Sequence, residues 1–434
     1  MPPPTPLPDH AWRPETRWAA PLIILLALAA LLTAWGNVQR RLQARPDPEQ
    51  ISIQGRILDL QAGLLGPKAP WAKLEKQARS PWDKALLAIH AAEAGKRELA
   101  ARSLAASPGS FPPAWEQAYG DARPEPRALE APGKALTGTH AFKLLEARML
   151  EKGGTDATPL RRAARISLMQ RLVVLAALGS GGTLALLAGL GFVIFLAVKK
   201  PSPPPTLPRL DADGRALAIL FLGWFLVMQL SGTVIQILLS VLPFLRPWAL
   251  PLAYLFHAGF ATSMLCRIEG IGFGQLWRRA APPPHGRNLA WGAGYLGLTV
   301  LAALALSIAL SPILPTQEPP QRELVDILTK AQGLHRTLPL FLTVALVAPC
   351  FEELLFRGCL IPALRRRLGP WPALAISALA FGAMHLQPLG LPMLSLLGIT
   401  MGLAFLRTGS LWTSILVHGC WNGAQFLLMR ALYG

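Results

Sequence analysis

Acidic residues are scarce: 24 Asp+Glu stand against 42 Lys+Arg in 434 residues, and charged residues of both signs make up only 15%. A soluble domain is usually about a quarter charged. Here 52% of the chain is hydrophobic and the mean hydropathy is +0.38, so the composition points to lipid as solvent. Cysteine is rare as well. The four, Cys266, Cys350, Cys359 and Cys420, each lie in or beside an apolar stretch. That excludes a disulfide framework and a CxxC metal knuckle, and leaves the cysteines as small apolar packing residues. No HExxH occurs, so the usual helical zinc signature is absent. No basic stretch is interleaved with aromatics. The net charge of +18 therefore reads as cytoplasmic loops and headgroup contacts, and nucleic acid is not expected as a partner.

What is present is a series of uncharged runs of about 20 residues, the length needed to cross roughly 30 Å of hydrocarbon as a helix. The expected segments are 18–35, 172–198, 216–241, 248–266, 288–313, 338–362, 371–387, 391–406 and 411–431. The fold class expected is all-α: a polytopic transmembrane helical bundle of about nine membrane segments with an inserted extramembrane helical region. The Pro-rich residues 1–17 read as a flexible N-terminus and 18–36 as an uncleaved anchor, since no A-x-A-like site follows it. Residues 37–170 read as an extramembrane helical region, 171–337 as transmembrane helices and 338–434 as a catalytic transmembrane core. Within the extramembrane region, 71–104 has the spacing of two amphipathic helices, without a clean 34-residue repeat. Gly398-x-x-x-Gly402 and Gly419-x-x-x-Gly423 allow close helix approach. Lys and Arg concentrate in alternate loops, at Lys199, Lys200, Arg209 and Arg215, at Arg267, Arg278, Arg279 and Arg287, and at Arg365, Arg366 and Arg367. That pattern predicts a multi-pass protein of the plasma or inner membrane, with the N-terminus inside and 37–170 on the outer side.

Ionisable side chains at membrane depth are costly and face cavities or one another. Here they fall in three groups: Glu352, Glu353 and Arg357 in FEELLFRG, His385 beside Phe381 in FGAMH, and His418 with Asn422 in HGCWN. Leu368-Gly369-Pro370 is a turn signal. Glu352 and Glu353 lie 17 and 16 residues before Gly369, and His385 lies 16 after it. At 1.5 Å per residue, an antiparallel hairpin puts them at one depth, roughly 24 Å from the turn. Glu353 and Arg357 are an i,i+4 pair, as are His418 and Asn422, while Glu352 is offset by about 100°. Pro349 can kink the helix and admit water. Tyr254 and His257 read as bundle lining.

Such a set suits hydrolysis of a peptide bond. Glu352 with His385 can hold and activate water, and His418 with Asn422 can supply oxyanion donors. Alternatively His385, His418 and Glu352 coordinate Zn²⁺ and leave one position open to water. Two other classes compete: a non-catalytic immunity or scaffold membrane protein, and a proton-coupled transporter, although the paired broken helices of transporters are not evident.

EELLFR, FGAMH and HGCWN, in that order, resemble the CPBP family, the intramembrane peptidases related to the type II CAAX prenyl endopeptidase and to bacteriocin-processing and immunity proteins. The family pattern is EExxxR, then FxxxH, then HxxxN or HxxxB, and the resemblance covers 338–431. It implies Glu352 as general base, His385 as partner in binding its water, His418 and Asn422 as oxyanion stabilisers, and Glu353 and Arg357 as support. It further implies a helical bundle in the lipid bilayer, a membrane-associated protein or peptide as substrate, and a metalloprotease label with Zn²⁺ as the candidate ion. Residues 37–170 have no counterpart in the family pattern and read as a substrate-presenting or protein-partner-binding module.

Overall fold

Lipid offers the backbone no hydrogen-bond partner except itself, and the computed structural model is helical accordingly. It describes residues 16–43, 51–198, 207, 214–281, 286–312 and 333–433, among which there is no strand. In chain order the helices are α1 (Thr16–Gln43), α2 (Ile53–Leu65), α3 (Trp71–Gln77), α4 (Pro81–Glu93), α5 (Arg97–Ala105), α6 (Pro112–Tyr119), α7 (Glu130–Leu136), α8 (His140–Lys152), α9 (Thr158–Val198), α10 (Gly214–Val241), α11 (Ala249–Glu269), α12 (Phe273–Ala280), α13 (Gly286–Leu310), α14 (Leu334–Leu368), α15 (Pro370–Met384), α16 (Leu391–Thr408) and α17 (Leu411–Tyr433). The expectation for 1–17 falls almost wholly outside the described residues, as do the loop cations Lys199, Lys200 and Arg209.

Seven of these helices, α1, α9, α10, α11, α13, α14 and α16, are long and apolar enough to cross a membrane. The expected count of about nine is corrected on two of its segments. The 371–387 segment is the 15-residue α15, which rises only about 22 Å against a hydrocarbon core of about 30 Å. The 411–431 segment forms the 23-residue α17, long enough, but made less apolar by Thr413, Ser414, His418, Asn422 and Gln425. The 338–362 segment extends to the 35 residues of α14.

The described residues fall into two compact units, one drawn from 1–44, 181–314 and 333–426, the other from 45–180 and 427–434. In the first, the Asn37 amide donates to Gln229 Oε1 at 3.0 Å, tying α1 to α10 by a polar contact between apolar helices. Its interior is aromatic, with Trp224, Phe351, Phe356, Phe381 and Phe405 buried. Gly369, at φ +82, adopts a backbone open to glycine and turns α14 back along α15.

In the second unit, 71–104 forms three short helices where two were expected. Ser80 accepts from the Asp83 amide and Pro81 opens α4, so a fresh N-terminus interrupts the run. Leu74, Ala85, Leu86, Ile89 and Leu99 are buried as their spacing required. At its centre the buried Asp59 carboxylate accepts from the His140 and Ala141 amides at 2.7 and 2.9 Å, the N-terminus of α8, and pairs with His90 Nε2 at 2.9 Å. Burial alone would push the Asp59 carboxyl up, but His90 and the two amides outweigh it and hold the group below its ordinary value.

The neighbouring His140 ring stacks on His90 at 5.9 Å. Burial, with the charge of His90, pulls His140 down from 6.5 to about 4 against the opposing field of Asp59. A depressed histidine favours the folded state fully above pH 6.5 and loses that contribution as the pH falls toward 4. The shift is worth roughly 3 kcal/mol. Hydrogen exchange on the whole protein is therefore expected to show α2 and α8 opening more readily between pH 6.5 and 4. The His140→Gln variant should be flat over that window, and an unchanged profile would refute the account.

Candidate active site

Pro349 lacks an N–H, and its effect on α14 is a change of winding more than a kink. Thr343–Val347 and Leu354–Leu360 are π-helical and flank the acidic pair on both sides, a distortion frequent at functional sites. The Ala348 amide bonds Thr343 O. In that register the next donor would belong to Pro349, so Val344 O is left for another group. Asn422 Nδ2 supplies it at 3.2 Å. Gly419, one turn earlier on α17, lets the helices meet there, since a Cβ at Gly419 would stand 2.6 Å from Ala345 O.

The two adjacent acids lie in different surroundings. Glu353 is fully buried, and its Oε1 accepts from Arg357 Nη1 at 2.9 Å and from His418 Nδ1 at 2.9 Å. Arg357, also fully buried, donates Nη2 to Gly398 O at 3.0 Å and lies 4.8 Å over the Phe381 ring. Glu352 is partly exposed, with a side-chain exposure of 15%. Its Oε1 accepts from the Tyr254 hydroxyl at 2.6 Å, and its Oε2 faces His418 Nε2 across 3.7 Å. That gap is too long for a direct hydrogen bond and is the kind a water molecule bridges.

The imidazoles are oriented by their other nitrogens. Because Nδ1 of His418 meets a carboxylate oxygen that already receives Arg357, the network puts a hydrogen on Nδ1, which in the neutral ring leaves the lone pair on Nε2. His385 Nδ1 meets Phe381 O at 2.8 Å, which assigns the same tautomer. Both rings stand edge-on to Phe381, at 5.0 and 5.5 Å between centroids. His385 closes α15, and Leu386 after it, at φ +52, is the non-glycine residue in left-handed backbone among those described. Such strain clusters at functional sites and is here spent on ending the helix at the histidine.

The structure thus joins Glu352, Glu353, Arg357 and His418 in one network, sets His385 on the shared Phe381 wall, and places Asn422 on the backbone of α14. The metal set suggested by the sequence, His385, His418 and Glu352, does not converge: among the described residues no three His, Cys, Asp or Glu side chains lie close enough to hold an ion. Both histidines have the tautomer a metal would require. The donor set as it stands nevertheless does not fit Zn²⁺, because no third His, Cys, Asp or Glu donor joins Glu352 and His418 among the described residues. Cys350 is half-buried and adds no third donor, and only Cys359 of the four cysteines is buried.

Two residues read from the sequence as bundle lining take specific polar partners here. Tyr254, on α11, reaches Glu352 from a helix 98 residues away in sequence. His257, one turn further, is buried and accepts from Trp224 Nε1 at 3.1 Å. The only available signal was a Tyr and a His three apart on an otherwise apolar helix.

Glu352 thus stands at the edge of a buried ionic network and faces His418 Nε2. Residues 334–424 match the family described as type II CAAX prenyl endopeptidase Rce1-like. The match covers about a fifth of the chain and contains all three motifs, so the CPBP resemblance holds over this segment. It supports protease activity on a polypeptide in a membrane. No curated protein and no solved structure matches the chain. With seven apolar helices and this segment, the protein is an integral, multi-pass membrane protein.

Proposed function

We propose that this chain is an endopeptidase that hydrolyses a peptide bond of a membrane-associated protein or peptide, with Glu352 as general base. The observation that carries the reading is the 3.7 Å gap between Glu352 Oε2 and the lone-pair nitrogen of His418. Water held there gives one proton to Glu352 as its oxygen attacks the carbonyl carbon. Its other hydrogen stays on the oxygen and hydrogen-bonds to His418 Nε2, and His385 helps hold the water. When the C–N bond breaks, Glu352 returns the proton to the leaving nitrogen. Glu353 and Arg357 hold His418 in the tautomer this needs. The family name points to prenylated CAAX ends; for this chain the substrate class we infer is broader, any polypeptide that the bilayer brings to α14. We place 37–170 on the outer side, where it presents substrate or binds a partner.

A comparison of membrane proteomes from cells carrying the wild-type chain or Glu352→Ala tests the reading. Full-length forms of one or a few proteins should accumulate in the variant. If none accumulates and a farnesylated CAAX reporter peptide also stays uncut by wild type, the non-catalytic scaffold class is the better one. Chelator treatment followed by zinc, on the purified protein, reports separately on metal dependence.

A further inference from the structure

Oxyanion stabilisation needs a hydrogen-bond donor beside the reacting carbonyl, and both residues that the motifs nominate already hold other partners. His418 directs its Nδ1 hydrogen to Glu353, so in the neutral ring the nitrogen on the Glu352 side carries a lone pair and accepts. Asn422 gives one of its two amide hydrogens to Val344 O, the carbonyl left over by Pro349. The donor that does stand at the reactive carboxylate is the phenol of Tyr254, 2.6 Å from Glu352 Oε1.

Resting on the peptidase reading above, we propose that Tyr254 is an oxyanion donor of this site, and that it passes from Glu352 to the substrate oxygen during the reaction. Before attack the phenol donates to a carboxylate, a charged acceptor. As Glu352 takes the proton of water it becomes a neutral acid and a weaker acceptor, while the carbonyl π pair moves onto oxygen and creates a charged one. Hydrogen bonds to charged groups are about twice as strong as neutral ones, so the phenol O–H follows the negative charge. No proton leaves tyrosine. When the tetrahedral intermediate collapses and Glu352 gives its proton to the amine, the phenol returns to the carboxylate.

The surroundings fix the ring for this exchange. Tyr254 packs edge-on to His257 at 4.5 Å and to Phe351 at 6.1 Å, and Trp224 holds His257 in turn. A donor preorganised in this way loses little to reorganisation in the transition state.

Tyr254→Phe keeps the ring and its packing. With a substrate that accumulates in the Glu352→Ala cells, kcat should fall about 100-fold or more, the range seen on removing one oxyanion donor, with KM changed less than about threefold and the thermal melting temperature in detergent unchanged. A phosphinic peptide built on the cut sequence, which mimics the tetrahedral intermediate, should bind more weakly by the same factor. Binding of the uncut peptide, measured in the Glu352→Gln background, should not respond. Wild-type kcat in Tyr254→Phe, or a loss explained by melting with unchanged turnover per folded molecule, overturns the donor role and leaves the peptidase reading standing. Turnover surviving in Glu352→Gln overturns both.

Discussion

Glu352→Gln is expected to lower turnover about 1,000-fold, the middle of the range for loss of a general base, and to leave the protein's abundance and melting temperature at wild-type values. Both halves follow from the geometry. The glutamine carbonyl can still accept from Tyr254 at the Oε1 position, where the carboxylate accepts at 2.6 Å. Its amide at the Oε2 position faces the lone pair of His418 Nε2, now 3.7 Å away, and can donate to it. Shape and bonding survive, while the group that takes the proton is gone. Glu352→Ala removes the Tyr254 partner as well, so glutamine is the cleaner probe. Turnover by wild type and variant, beside a melting curve in the same detergent, checks the pair. A variant that melts early and cleaves normally per folded molecule would reverse the assignment, making Glu352 a packing group.

That the two glutamates differ in surroundings was legible early, because adjacent helical residues point about 100° apart and only Glu353 shares a face with Arg357. The hairpin was legible too. Gly369 turns the chain where expected, and the rings of His385 and His418 meet the same Phe381. What stayed hidden depends on tertiary contact. Nothing in the periodicity of α11 says that Tyr254 abuts a carboxylate 98 residues on. The winding of α14 was hidden for a related reason: a proline suggests a kink, whereas here the strain is absorbed in two π-helical stretches and a side chain from α17 completes the freed carbonyl. The three residues of the metal set share a depth without lying together as a donor cluster. His385 is anchored to the backbone of α15 and His418 to Glu353.

The second large effect concerns stability. Arg357 and Glu353 are both fully buried and are bonded to each other at 2.9 Å. Such a pair contributes little net stability, since desolvation of both ions offsets their attraction, but losing one partner strands the other and costs about 3–5 kcal/mol. Arg357→Met leaves Glu353 charged against Phe381 and His418 with no cation, so the variant should be depleted from the membrane and melt well below wild type. Glu353→Gln together with Arg357→Met removes both charges. The glutamine carbonyl can still accept from His418 Nδ1 and keep its tautomer, so the double variant should regain most of the abundance and melting temperature lost by the single one. Its activity separates two roles for the pair. Recovery of turnover along with stability makes the ion pair a folding device only. Recovery of stability without turnover means that the charge on Glu353, and not merely its hydrogen bond, holds His418 ready for the water. Steady-state levels and melting curves of the two variants are enough to test the stability argument, and an Arg357→Met protein as stable as wild type would contradict it.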